Sequence, residues 1–282
     1  FRIFQMIRVS NIKLPLDHDD QALTDAILSM LEISADQLTA VEIRRRGYDA
    51  RKKNTIFVIY TPDVDTTINA QLLEKFAGSQ SIRQTPDMEY KYVAQAPAEL
   101  PERPLVIGFG PCGILAGLVL AQMGYKPLII ERGKEVRQRT KDTFGFWRQK
   151  KLNTESNVQF GEGGAGTFSD GKLYTQIKDP NHYSRKVLTE FVEAGAPEEI
   201  MYVSKPHIGT FRLVSMVEKI AASGNAKGLV ALSWKASLSA ANAVTVQKRV
   251  GRIQPNNVLE PKDGKCPLTH DEMDWHLEFY GT

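Results

Sequence analysis

The sequence predicts an α/β protein built as two domains, and three observations carry that prediction. Residues 104–132 read PLVIGFGPCGILAGLVLAQMGYKPLIIER, an apolar run that breaks at a glycine-rich turn and resumes after a helical stretch. Residues 6–92 switch between strand-like and helix-like periodicity in the order β-α-β-β-α-β. Between the two lies VAQAPAELPERP, whose three prolines in twelve residues mark a linker.

In the N-terminal part, Ile7 to Leu14 alternates as a strand. Asp20 to Leu31 has helical spacing, with Leu23, Ile27 and Leu31 on one face and Asp19 or Asp20 as N-cap. Ala40–Arg46 and Thr55–Thr61 read as two strands, Thr66–Phe76 as a second helix and Met88–Val93 as a last strand. That order predicts a ferredoxin-like α+β domain over 6–92, with the linker at 93–103. Arg44, Arg45, Arg46, Arg51, Lys52 and Lys53 flank a turn. They suit either a solvated hairpin whose charges keep sheet edges apart or a surface for nucleic acid or an acidic partner. The hairpin reading is preferred.

The second domain, expected over 104–220, opens on Leu105, Val106 and Ile107, a short apolar strand without polar alternation, as in a buried parallel strand. Gly108, Gly110 and Gly113 then form G-x-G-x-x-G. Strand, glycine turn and helix together are the βαβ unit of a Rossmann-type domain. The first glycine permits the tight turn, the second lets a pyrophosphate approach the backbone, and the third allows close helix–strand packing. The free amides at the helix start then face the phosphates. Gly117 and Ala121 continue the small-residue face, and Gly124 is a C-cap candidate. Lys126 to Ile130 is the second strand. Glu131 lies 23 residues after Gly108, near the spacing expected for the carboxylate that holds an adenosine ribose. An acid there favours FAD or NAD over a 2′-phosphorylated cofactor.

Gly161, Gly163, Gly164, Gly166 and Gly171 fall within eleven positions in NVQFGEGGAGTFSDGKLY. Such density signals unusual backbone conformations or backbone pressed against a ligand. Phe160, Phe168, Leu173 and Tyr174 argue against a mere flexible linker. Lys134–Lys151 reads as a charged helix whose Phe144, Phe146 and Trp147 are expected in a core or domain contact. Ser184–Ala194 is an amphipathic helix, and His207 either moves protons or caps a helix starting near Thr210. Cys112 is read as a small loop residue, not a redox group. Cys266, His270 and His276 are spaced too loosely for a zinc site.

The segments GFGPCGILAGLVLAQMGYKPLIIERG, NVQFGEGGAGTFSDGKLY and KPHIGT resemble the bacterial FAD-dependent dehydrogenase-like family, flavoproteins of the glutathione-reductase-like Rossmann class. The resemblance spans about residues 6–220. It implies non-covalent FAD, with the pyrophosphate on the Gly108–Gly113 loop, the ribose at Glu131 and the second glycine cluster near the flavin end. The candidate cofactor-binding residues are Gly108, Gly110, Pro111, Cys112, Gly113, Glu131, Arg132, Gly163, Gly164, Gly166 and Thr167. NAD(P)H is a candidate reductant. No catalytic acid or base is assigned, and no substrate follows from the resemblance.

A net charge of +3 over 282 residues gives little reason to expect nucleic acid, and no apolar run reaches membrane-helix length. Two cysteines suit a reducing cytoplasm. The other class of reading is a non-catalytic protein that binds a nucleotide, nucleic acid or partner through its basic N-terminal domain. Beyond Ile220 the resemblance is lost. With a start at Phe1 and Met6 matching the family's usual beginning, this leads to the expectation of an incomplete or frame-shifted reading frame. Residues 221–282 stay unassigned, and the chain as written is expected to hold FAD poorly.

Overall fold

The computed structural model describes residues 6–52, 55–100, 102–173, 175, 177–222, 230–236 and 244–247, the last two as backbone only. Lys53, Tyr174, Cys266, His270 and His276 lie outside them. The protein is mixed α/β, with six α-helices among the described residues. It divides into two compact units. One holds the described residues up to Tyr90 together with Lys172–Val192 and Pro197–His207. The other holds Lys91–Gly171, Glu193–Ala196 and the described residues from Ile208 onward. The stretch 104–220, read from sequence as one domain, is thus divided between them.

In the first unit the opening strand is two pieces, β1 (Ile7–Val9) and β2 (Ile12–Pro15), because Asn11 adopts φ +65°. Asparagine tolerates that left-handed conformation better than other side chains. Both pieces pair antiparallel with β4 (Thr55–Thr66), Ile7 opposite Val64 and Ile12 opposite Tyr60. The long β3 (Leu38–Lys52) covers the other edge of β4, and β5 (Ile82–Gln84) pairs outside β1. The order across the sheet is therefore β3, β4, β1 with β2, then β5, every pair antiparallel.

Helix α1 (Ala22–Leu31) presents its predicted stripe: Ile27 and Leu31 are fully buried and Leu23 packs against the same core. The N-cap is Gln21, not Asp19 or Asp20, and Asp19 in the preceding turn accepts the Ala22 amide at 2.8 Å. Ile7, Val9, Ile12, Leu14, Val58 and Val64 supply the sheet side of that core, and Leu72 of α2 (Asn69–Lys75) closes it. The last strand is Ile82–Gln84, not Met88–Val93. Ile82 has an apolar core to enter, whereas residues 85–92 form no helix or strand and Val93 is 88% exposed. Helix α5 (Tyr183–Glu193) starts on Asp179, whose carboxylate accepts the Tyr183 and Ser184 amides. Residues 202–204 extend the free edge of β3: Arg46 donates its amide to Tyr202 O at 2.7 Å and Ser204 returns a bond to Arg46 O at 2.9 Å.

The second unit is built on a parallel sheet. β6 (Leu105–Ile107) pairs with β7 (Leu128–Glu131), and β7 with β8 (Val230–Ala236), all parallel. β9 (Val244–Gln247) adds an antiparallel edge. Residues 221–282, left unassigned from sequence, therefore supply a third parallel strand. Leu232, Ser233, Trp234, Lys235 and Ala236 alternate apolar and polar, a strand signal too short to assign by itself. Among the described residues β6 is the outer strand, and Ile107 is 47% exposed, contrary to the expectation of a buried strand; β7 buries Ile129 completely. The helices are α3 (Pro111–Gln122), α4 (Val136–Gln149) and α6 (Thr210–Ala222). Gly124 follows α3 at φ +87°, as its C-cap assignment requires. The aromatic residues of α4 are not core: Phe146 and Trp147 are exposed, with Trp147 edge-on to Phe144 and Phe168.

Candidate functional site: a double glycine loop around Glu131

The two glycine-rich segments of the sequence meet in the second unit. Leaving β6, the chain turns at Gly108 (φ +93°), whose amide donates to Ile130 O at 2.6 Å. Gly110 is the N-cap of α3 and Pro111 its first residue, where the missing amide proton is no loss. A Cβ at Gly113 would lie 1.9 Å from Gly108 O. Glycine is compulsory there because the helix passes directly over the loop backbone.

The second segment is laid on the first. Gly163 donates its amide to Phe109 O at 2.8 Å. A Cβ on Gly164 (φ +65°) would come within 3.0 Å of Pro111 Cδ and 3.2 Å of Gly110 Cα. A Cβ on Gly133 would meet Gly161 Cα at 2.4 Å. Gly166 differs, since a Cβ there would meet nothing within 4 Å.

Glu131 is the joint of this arrangement. At the end of β7, and buried, it accepts the Phe109 amide on Oε2 at 2.6 Å and the Gly133 amide on Oε1 at 2.7 Å. One carboxylate thereby sets the loop after β6 and the turn after β7. Each oxygen keeps a second lone pair, so acceptance from a ribose hydroxyl is compatible with this geometry.

Two buried residues that sequence reasoning passed over complete the framework. Arg139 of α4 has no exposed surface, and its guanidinium donates to four carbonyls, those of Glu162 (2.5 Å), Val158 (3.1 Å), Gly164 (3.1 Å) and Asn157 (3.2 Å). Burial pulls its pKa down to about 10, opposed by the charges of Glu131 and Glu162. The Glu162 carboxylate accepts the Val136 amide at the start of α4, 2.7 Å away. The signal for both was available only as charge inside a segment otherwise read as a solvated helix and a glycine loop.

The remaining predicted residues separate by role. Cys112 is an exposed free thiol in the first turn of α3. Arg132 is half exposed, stacked 4.3 Å from the Phe160 ring and 3.7 Å from Glu155. Thr167 is buried against Gly163, and its hydroxyl has no hydrogen-bond partner among the described residues. His207 belongs to the other unit, in an antiparallel bridge with Lys172.

Gly110 stands apart from its neighbours. Its φ of −77° is ordinary for any residue, and a Cβ there would come no closer than 3.8 Å to protein, at Gly164 Cα. Nothing in the chain itself demands glycine at this position. The amides of Gly110, Cys112 and Gly113 at the helix start have no acceptor among the described residues, as the opening turn of a helix leaves them. The residues present therefore fit a ligand with an anionic group pressed onto the backbone at Gly110.

Residues 6–65 match a family described as a domain of unknown function, DUF8436. They cover β1, β2, α1, β3 and β4 as far as Asp65. A protein of Clostridium beijerinckii, named only as an uncharacterized protein, is 45% identical over 218 residues. The match takes in 76% of this chain and 40% of that relative, so the chain spans about two fifths of the relative's length. No helix among the described residues is long and apolar enough to cross a membrane.

Proposed function

We propose that the second unit binds the ADP half of FAD and that the chain is part of a flavoprotein oxidoreductase. The reading rests first on Gly110, a glycine with no intramolecular reason, at a helix N-terminus beside a second glycine loop. Three parallel strands in the order β6, β7, β8, with α3 between the first two, support a Rossmann-type arrangement. In the first unit, the order β3, β4, β1 with β2, β5 supports a ferredoxin-like sandwich. The pyrophosphate would lie over Gly108, Gly110, Pro111, Cys112 and Gly113, and the ribose at Glu131. Arg132 would border the adenosine, and Gly163, Gly164, Gly166 and Thr167 of the second loop would lie toward the flavin end. The flavin, once bound, supplies the redox chemistry, and the protein supplies position and electrostatics. NAD(P)H is the proposed reductant, the compartment the cytoplasm.

The alternative, a partner or nucleic-acid surface on the arginine run, has less in its favour. Arg44 turns inward to Asp63 at 2.8 Å, and Arg46 stacks on Tyr202 at 5.3 Å. Arg51 is held by Asp49 at 2.6 Å. The test is direct. Because β8 supplies a third parallel strand that the expectation of poor binding did not include, the purified chain titrated with FAD should quench flavin fluorescence saturably, near one equivalent, and NAD(P)H should bleach the bound flavin. Quenching that never saturates would remove the proposal.

A further inference from the structure

In the first unit, side chains alternate across the sheet, so the residues between the core positions Ile7 and Val9 or beside Val64 face away from α1. The register aligns Glu42 with Asp63, Asp63 with Arg8, and Arg8 with Arg83 along that opposite face. Asp63 is completely buried and fully occupied. Arg8 binds it through two nitrogens at 2.7 and 2.9 Å, and Arg44 Nε donates to it at 2.8 Å. Arg44 also reaches Glu42 at 2.7 Å.

Arg185 of α5 joins this cluster by sharing Glu42 with Arg44. Its Nη1 donates to Met201 O at 2.8 Å, while its Nη2 lies 3.9 Å from Glu42 Oε1, beyond hydrogen-bond distance. Its side chain is only 22% exposed. Three guanidiniums thus share two carboxylates, one of them saturated. A mostly buried cation whose nearest carboxylate is 3.9 Å away and shared with Arg44 is only partly compensated, and a planar fork is suited to an oxyanion. Burial, followed by the like charge of Arg44, lowers the Arg185 pKa against the opposing charges of Glu42 and Asp63.

We propose that Arg185, with Arg44 and Arg8 behind it, forms a binding site for a small-molecule oxyanion, a phosphate or carboxylate group entering at Glu42. Glu42, half exposed, is the rim group that such an anion displaces or opposes. The site is independent of the flavin reading.

Calorimetric titration of the full chain with inorganic phosphate, and separately with malonate, in low-salt buffer tests it. Saturable binding of either probe is expected, and which one binds identifies the group. Arg185→Gln should weaken it about tenfold or more, the loss of one charge-assisted contact. Arg51→Gln, a surface change on the β3–β4 hairpin, should leave it unaltered. Glu42→Gln, which removes the opposing charge at a half-exposed side chain and releases Arg44 from its 2.7 Å ion pair, should tighten it, and this variant decides the matter if Arg185→Gln does not fold. No saturable binding of either probe, equal losses in Arg185→Gln and Arg51→Gln, or unchanged affinity in Glu42→Gln would overturn the proposal.

Discussion

Glu131 accepts the amide proton of Phe109 at 2.6 Å, and through that bond the end of β7 holds the turn that follows β6. The same carboxylate holds Gly133 at 2.7 Å. Substitution by Gln would put an amide nitrogen against one of two backbone N–H donors, with both sites buried. Glu131→Gln should therefore cost about 1–3 kcal/mol, the penalty of an unmet buried hydrogen bond. Urea denaturation measures this, and an unchanged midpoint would mean that the carboxylate does not set the loop.

Arg139 should be still less replaceable. Arg139→Met keeps the apolar stem but leaves four carbonyls of the second loop without their donor. We expect a loss of about 3 kcal/mol or more. Amide exchange should accelerate at Gly163 and Gly164, whose bonds to Phe109 O and Gly161 O depend on the placement of that loop. Native-like protection of both amides in the variant would refute this.

In the first unit, Ile27 is fully buried between α1 and the sheet. Ile27→Ala should cost about 2–5 kcal/mol through lost burial and the cavity left behind. Thermal melting followed by circular dichroism reads the result. A shift no larger than that of an exposed alanine substitution such as Asp25→Ala would contradict the packing described.

Asp179 should make α5 sensitive to acid. Partial burial raises its pKa, but the bonds from Ser184 and Tyr183 outweigh that, and the net shift is downward. A carboxyl with a depressed folded-state pKa contributes stability above its unfolded value, near 4, and that contribution is lost as pH falls through the folded value. Asp179→Ala should cost about 1 kcal/mol near neutral pH, as for other lost helix caps, and the difference should vanish in acid. A difference that persists at pH 2 would show another origin.

Much of this was legible in the sequence because it rests on local rules. The stripe Leu23, Ile27, Leu31 and the glycine spacing at 108, 110 and 113 depend on helix period and turn sterics. Contacts between distant segments were not legible. The bond from Gly163 to Phe109 O spans more than fifty residues, and no local pattern announces it. Arg139 reads as one charge among many on a polar helix until the carbonyls it gathers are seen. β5 was misplaced because Tyr90, Tyr92 and Val93 have better strand propensity than the three residues Ile82–Gln84, and tertiary pairing with β1 overrides propensity. The place of Glu131 at the end of the second strand is legible from spacing, but its bonds to two backbone amides follow from the fold alone.

The central claim, that the Gly108–Gly113 loop carries a dinucleotide pyrophosphate, is tested most directly by FAD titration of Gly110→Ala beside the unaltered chain. Ordinary φ and a nearest protein contact of 3.8 Å leave room for the new methyl in the folded protein. The account predicts unchanged melting and FAD affinity reduced by about two orders of magnitude or more, because the methyl occupies the place of the phosphate. Gly110→Ala that binds FAD as tightly as the unaltered chain would contradict it.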